Sequence, residues 1–445
     1  MSADAATGLR RVNDDLLRTM GRPGPLYVAG LALALAGLAW GGYAWFFQIA
    51  VGLGVTGYAP PIMWAVYITN FVFWVGIAHS GTLISAVLYL LRARWRTAVS
   101  RAAEAMTVIA VMTAGFFPII HLGRPWLFFW LLPYPSQREL WVNFRSPLVW
   151  DVFAVSTYFT VSALFLFLGL VPDLAIVRDH ATGSRKRVYG LLSLGWHGTG
   201  AEWRHYGALY GFFAALATPL VISVHSVVSW DFAMSIAPGW HSTIFAPYFV
   251  AGAILSGLAM VLTILIPMRR LYGLEAYVTL EHFEGVAKLI ITTSLIVSYS
   301  YASEYFVAFY RGSEFERSTL LDRARGAFAP FFWTMVTCNS IVPLALSFRR
   351  VRRSLPALFV IALLINVGMW LERFVIIVSS LAHGVAPATW RGMYQPTWVE
   401  AAITLGSFAW FALWFLLFAK LVPVLPITEL KEALLHPEPH EAFHD

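Results

Sequence analysis

Apolar residues run along the chain in ten long blocks separated by short polar or basic segments. They span roughly 25–48, 61–91, 98–121, 147–171, 206–230, 244–268, 277–305, 328–349, 355–381 and 399–424. Crossing about 30 Å of hydrocarbon takes about 20 helical residues at about 1.5 Å each, and every block reaches that length. The pattern predicts an all-α integral membrane protein of ten transmembrane helices, called spans one to ten below. The first block follows Arg10, Arg11, Arg18 and Arg22 and lacks a small-residue cleavage site after it. It is therefore read as a retained helix and not a removed signal.

Composition agrees. The 445 residues are 59% hydrophobic and 12% charged, with mean hydropathy +0.67. Soluble proteins average about 25% charged residues. The lone thiol, Cys338, cannot form an intrachain disulfide, a four-thiolate iron–sulfur site or a structural zinc site, and no CxxCH stands ready for a c-type haem. The 31 Lys and Arg are unevenly placed. Segments on the side of the termini carry 21, those on the other side carry eight, and Lys288 and Arg373 fall within spans. This bias predicts both termini in the cytoplasm. It also explains the net charge of +7 without any appeal to nucleic acid.

One internal repeat is suggested. Ser80-Gly81 in span two and Ser256-Gly257 in span six recur at an offset of 176, at similar depth and in the same direction. A parallel duplication of a four-helix unit would give this. So would two independent small-residue packing sites.

Polar residues inside spans are costly and mark the positions to question. Span seven opens with TLEHFEGVAKLIITT, so Glu281, His282, Glu284 and Lys288 fall within eight residues. Glu281, Glu284 and Lys288 share one helical face, with Glu284 ahead of Lys288 in the favourable order for an ion pair. A hydrated proton path from the cytoplasm is one reading; an interfacial ion pair with snorkelling side chains is the other. His79 lies mid-span in span two and Glu104 in the cytoplasmic half of span three. Glu372 and Arg373 are neighbours in span nine, so they are expected to point apart, with Arg373 finding its anion elsewhere.

The outer side holds the densest constellation. Span three ends in FFPIIHLGRPW at His121, and an aromatic loop LFFWLLPYPSQRELWVNF follows. Span four opens with RSPLVWD, in which Ser146-Pro147 suits a helix start and Asp151 sits one turn inside. Span five arrives with SVHSVVSWDF, bringing His225 and Asp231. Two histidines and two aspartates at one depth under tryptophans suit a quinone head group. Histidine exchanges a hydrogen bond with a quinone oxygen, and a carboxylate accepts a proton from a quinol. The structural alternative has Asp151 complementing its helix N-terminus and His121 closing the preceding helix.

The runs HSGTLISAVLYLLRARWRTAVSRAAEAMTV, FPIIHLGRPWLFFWLLPYP, WVNFRSPLVWDVFAVSTYFTVS and PGWHSTIFAPYFVAGAILSG resemble the NrfD/PsrC family of quinone-interacting membrane subunits, most closely its ActC branch in alternative complex III. The resemblance covers about residues 25–425. It implies two four-helix bundles, spans two to five and six to nine, with spans one and ten peripheral. The corresponding parts are a cytoplasmic N-terminal segment 1–24, span one and its loop 25–60, a first bundle 61–230 with the quinol site, a second bundle 231–381 with the polar stripe, an outer loop and span ten 382–424, and a tail 425–445. It implies oxidation of menaquinol or ubiquinol at the outer side, with no haem or metal in this chain. Electrons would pass to an iron–sulfur subunit and c-type cytochrome subunits. A homologous NrfD-like membrane subunit and a terminal oxidase would be further partners. His121 and Asp151 match the family's head-group positions, and Asp231, Arg373 and His225 are neighbours by depth. Proton translocation would use Glu281, His282, Glu284, Lys288, His79 and Glu104.

Three rivals stand beside this. The anchor of a molybdopterin-type reductase in the same superfamily would share the membrane chemistry and differ in its partners. A haem b anchor needs two facing histidines at one depth, whereas here only His79 is mid-span and His225 is expected nearer the outside. A solute transporter would use the charged stripe for proton coupling.

Overall fold

The computed structural model describes residues 3–133, 144, 146–311, 313–383 and 394–435. Among them ten helices are long and apolar enough to cross a membrane. These are Pro25–Val51, Val66–Leu90, Thr97–His121, Pro147–His180, Gly200–Ala233, Phe245–Tyr272, Leu280–Arg311, Ala329–Ser347, Leu355–Ala382 and Trp398–Leu421. They match the ten predicted blocks in order. Arg138, Arg145 and Arg391 of the charge count, most of the aromatic loop before span four, and the last ten residues lie outside the described residues.

Spans four and five outrun their apolar blocks the most. Span four continues past Pro172 through Asp173, Arg178 and His180 as a 34-residue helix. Span five starts six residues early, at Gly200. There Thr199 and Glu202 form a capping box: the threonine hydroxyl accepts from the Glu202 backbone N–H, and the Glu202 carboxylate accepts from the Thr199 backbone N–H. Thr397 and Glu400 start span ten with the same device.

Span two is the centre: 89% of its apolar stretch is buried, against 11% for span one. Span two packs on spans three, five, six and nine. Span three packs on four, four on five and five on six; span six packs on seven and nine, and span eight on seven and nine. Span ten leans on three and two and carries span one on its other side. Lipid tails are as apolar as leucine, so spans associate through close packing rather than hydrophobic drive. The closest approaches are at small residues. A Cβ on Gly41 of span one would lie 2.7 Å from the Cα of Gly406 in span ten. A Cβ on Gly257 of span six would collide with Ser80 Oγ and lie 2.6 Å from the Ile77 carbonyl of span two. The two Ser-Gly pairs of the suspected repeat therefore meet at one helix contact.

Two spans contain a wide π-turn, Leu83–Val87 in span two and Thr337–Ile341 in span eight. Such turns re-aim neighbouring side chains and cluster at functional positions. Here they adjoin Thr82 and include Asn339, both buried among polar groups.

The two ends of the chain share one face. The amphipathic helix Ala3–Thr19 buries Val12 and Leu16 and packs on the C-terminal helix Ile427–Leu435. Lys420 Nζ donates to the carbonyls of Thr19 (2.8 Å) and Gly21 (3.2 Å), and the Tyr277 hydroxyl donates to Asp15 (2.8 Å). This is called the terminal face below, and the opposite one the far face. On the far face a short helix, Glu314–Arg325, sends Arg323 inward to Glu304 (2.7 Å), Ser379 and Ser380. Trp240 plugs the same end, its indole N–H donating to the Ile376 carbonyl at 2.7 Å.

Candidate functional site

At the far face the start of span four meets the end of span five. Ser146 has the extended backbone of a helix cap, but its hydroxyl accepts no capping hydrogen bond. Asp151, one turn inside, is buried against Asp231, and their carboxyl groups stand within hydrogen-bond reach. One oxygen on each, Oδ1, has no protein partner. Two carboxylates so close cannot both stay charged in a dry site; a proton shared between them makes the contact favourable. Trp150 and Trp230 stand edge to face beside the pair, their rings 6.0 Å apart. A cavity of about 290 Å³ opens next to it, lined by Trp230, Met234, His241 and Arg311 among others.

His121 takes a different set of partners. Its Nδ1 lies 3.3 Å from the Tyr58 hydroxyl, with the rings edge to face. Tyr58 leads into a polar cluster at the far ends of spans one, two and ten. There Tyr67 donates to Gln48 (2.5 Å), Tyr394 donates to Glu400 (2.5 Å), and Glu400 accepts from the backbone N–H groups of Gly57 and Thr397. Beside Tyr394 is an aromatic cavity of about 540 Å³ with Phe328, Phe331, Trp370 and Phe374 on its walls.

His225 stands with His79 rather than with Asp231. Six residues separate it from Asp231, about 9 Å of helical rise, and that distance carries it to mid-span. The His79 and His225 rings are 4.6 Å apart, both fully buried. His79 Nδ1 lies 2.6 Å from the Val75 carbonyl, which makes it the protonated nitrogen, and its Nε2 has no partner. Neither nitrogen of His225 has one. On one side His79 stacks on Tyr158 (5.1 Å), whose hydroxyl meets Thr82 (2.7 Å) and the Ala78 carbonyl (2.9 Å). On the other, His225 faces Phe249, and the Arg373 guanidinium lies 4.4 Å over the Phe249 ring.

Arg373 corrects a sequence expectation. It does pair with its chain neighbour: its Nη1 lies 2.7 Å from Glu372 Oε1. Adjacent Cα–Cβ bonds point about 100° apart, but the long arginine side chain curls back, held by the Phe249 face. The angles are not those of a hydrogen bond, so both guanidinium Nη atoms and Glu372 Oε1 keep unused hydrogen-bonding capacity. The other carboxylate oxygen accepts from Tyr301, whose hydroxyl accepts from Asn339 (2.9 Å). Buried polar atoms without protein partners call for water or a ligand. A polar column therefore runs through mid-span from Tyr158 to Asn339, crossing from spans two, four and five to spans seven, eight and nine.

Glu104 occupies a second buried cluster near the terminal face. It accepts from the Tyr210 hydroxyl (3.2 Å) and lies 3.9 Å from Arg101, which also reaches Asp173 at 2.9 Å. The span-seven residues are shallower. Glu281 and Lys288 are exposed, and His282 Nδ1 accepts from the Thr279 backbone N–H (3.0 Å), closing the helix start. Glu284 is met by Arg352 (3.5 Å) and Arg353 (3.2 Å) from the segment before span nine. Thr107, three residues after Glu104 in span three, donates its hydroxyl to the same Ala78 carbonyl as Tyr158. Sequence reasoning placed Tyr301 on the continuing polar stripe of span seven but missed Tyr158, Asn339 and Tyr210, because tyrosine and asparagine give little signal amid aromatic spans. Among the described residues no three His, Cys, Asp or Glu side chains are grouped to hold a metal ion.

The chain is similar to a protein of Halobacterium salinarum named as a membrane subunit of dimethyl sulfoxide reductase. They are 28% identical over 426 residues, 91% of this chain and 92% of the other. The family model described as polysulphide reductase, NrfD, matches residues 54–386, three quarters of the chain and the whole of the region from His79 to Arg373. The chain belongs to the NrfD family.

Proposed function

We propose that this chain is the quinol-oxidising membrane subunit of an alternative complex III, working at the far face with redox partners that it does not itself contain. The observation that carries the reading is the Asp151–Asp231 pair: a buried and a half-buried carboxyl sharing a site, each with an oxygen left for a substrate. Quinol oxidation releases two electrons and two protons. A proton leaves each hydroxyl; the carboxyl pair, already sharing one proton, takes one and the His121 imidazole the other, as the two electrons pass to an iron–sulfur cluster of a partner subunit and on to c-type haems. His121, with Nδ1 engaged by Tyr58, offers Nε2 to the other end of the head group. A general base within hydrogen-bond reach contributes about 10²–10⁴-fold to such a step.

The Lys and Arg distribution supports a cytoplasmic terminal face; on this reading the quinol site is at the outer surface of a bacterial inner membrane. The column His79–His225–Arg373–Glu372–Tyr301, with Glu104 below it, supports proton translocation across the chain. Glu281, His282, Glu284 and Lys288 form a second candidate way in from the cytoplasm.

One observation favours a second reading. The Halobacterium relative, matched over nearly its full length, is named as part of a dimethyl sulfoxide reductase. On that reading the chain anchors a molybdopterin-type reductase and the same quinol site serves another acceptor. Purification in mild detergent through a tag on this chain separates the two. Co-purifying c-type haem with quinol-dependent cytochrome c reduction supports the first; a co-purifying molybdopterin subunit without it overturns the first in favour of the second.

A further inference from the structure

A cavity of about 700 Å³ opens beneath the terminal face, apart from both far-face sites. Its wall is the C-terminal helix Ile427–Leu435, held by an unusual anchor. Asp173 of span four accepts from the backbone N–H groups of Ile427 (3.3 Å) and Thr428 (3.0 Å) and from the Thr428 hydroxyl (2.9 Å). A carboxylate on a helix N-terminus is favourable on charge and hydrogen bonding alike. Asp173 is itself fully buried and paired with Arg101, so the helix is docked onto the interior of the bundle.

The cavity floor is polar and under-satisfied. Arg96, 8% exposed, lies 3.3 Å from Glu429, and its Nη1 has no partner. Glu429 Oε2 has no hydrogen-bond partner either. Burial pushes the Glu429 carboxyl up, with Arg96 and Arg101 opposing the shift. The acids Asp179, Glu429 and Glu432 balance Arg96, Arg178 and Lys431, so the lining favours water over a charged ligand. Tyr210 lies between this space and Glu104: it lines the cavity and its hydroxyl donates to Glu104.

We infer that this cavity is a water-filled vestibule through which protons reach Glu104, with the Tyr210 hydroxyl as the last link. An excess proton carried by the vestibule water (hydronium) passes to the Tyr210 oxygen as Tyr210 gives its own to the Glu104 carboxylate, and neutral water is left behind. The tyrosine ends as it began, and the net change is one proton moved from water to Glu104. From there Thr107 and Tyr158 lead to His79. The inference rests on the proton-translocating reading above and selects this way in over the span-seven carboxylates.

The test uses the whole complex, purified and reconstituted into vesicles, with proton uptake and electron transfer recorded together. Tyr210→Phe removes one hydroxyl and little else, and is expected to lower the protons taken up per electron at least twofold. Separately, Thr428→Cys in a Cys338→Ser background is expected to react with a membrane-impermeant maleimide applied on the terminal face. Wild-type uptake with an unchanged ratio in Tyr210→Phe overturns the vestibule alone, as does a ratio lowered by Glu284→Gln but not by Tyr210→Phe. A Thr428→Cys thiol that the reagent does not reach also overturns it. Absence of transmembrane uptake in the wild type instead removes the proton reading and this inference with it.

Discussion

Replacing Glu372 by glutamine should damage the protein more than replacing Glu372 and Arg373 together. Both side chains are at most 2% exposed, at mid-span, with 2.7 Å between Arg373 Nη1 and Glu372 Oε1. At that separation an effective dielectric of about 20 gives an attraction of about 6 kcal/mol. Measured losses on removing one partner of a buried pair are about 3–5 kcal/mol, because the survivor stays charged without compensation. Arginine cannot escape by losing its proton. The cation–π contact with Phe249 offsets only about 1–2 kcal/mol of this. Glu372→Gln should therefore cost about 3 kcal/mol or more, enough to deplete the chain from the assembled complex. Glu372→Gln with Arg373→Met removes both charges, keeps similar volumes and should recover most of that loss. The assay is the thermal midpoint and yield of the complex purified from the wild type, the single variant and the double variant. A single variant as stable as the wild type, or a double variant no better than the single, would refute the reasoning. Quinol turnover and proton uptake of the recovered double variant then read function apart from folding.

Asp151→Asn should leave the complex assembled but lower quinol oxidation about 10²–10⁴-fold, because the shared proton site loses its base; wild-type turnover would remove Asp151 from the chemistry. Gly257→Val should prevent stable packing of spans two and six, since even its Cβ would collide with Ser80 Oγ and sit 2.6 Å from the Ile77 carbonyl. Overpacking of this kind costs about 1–3 kcal/mol or more, and the yield of folded protein measures it. Asp173→Asn should loosen the C-terminal helix, which loses its charged cap and the Arg101 ion pair. Limited proteolysis on the terminal face should then cut beyond Pro426 faster than in the wild type, and equal rates would count against the anchor.

The spans were legible because each is a run of apolar residues long enough to cross lipid, and that signal does not depend on neighbours. The ends were less so. Span five begins at a Thr-x-x-Glu box, Thr199 to Glu202, that lies outside the apolar block and was not read as a start. The site was legible in its residue types and less in its grouping. Asp151 and Asp231 come together as their positions at the far ends of adjacent spans suggest. His225 does not join them, because six residues along a helix change both depth and facing. The Arg373–Glu372 contact was hidden for another reason: the direction of a Cβ bond says little about where a flexible guanidinium ends. The π-turns beside Thr82 and Asn339 left no mark on the pattern, since an extra residue in a uniformly apolar stretch changes no periodicity.

Span one and span ten hold each other through Gly41 and Gly406, and the Tyr27 hydroxyl donates to the Leu416 carbonyl 389 residues along the chain. Eight spans are synthesised between these two partners. The first span must therefore enter the bilayer with its glycine face against lipid and wait there while eight others are inserted. Only when the tenth arrives can the groove close, and only then can Lys420 reach the carbonyls of Thr19 and Gly21. A truncation that spares every residue of the proposed quinol and proton sites but stops before Gly406 should leave a chain that inserts and never matures. Quality control would then meet it as an orphan with an open seam.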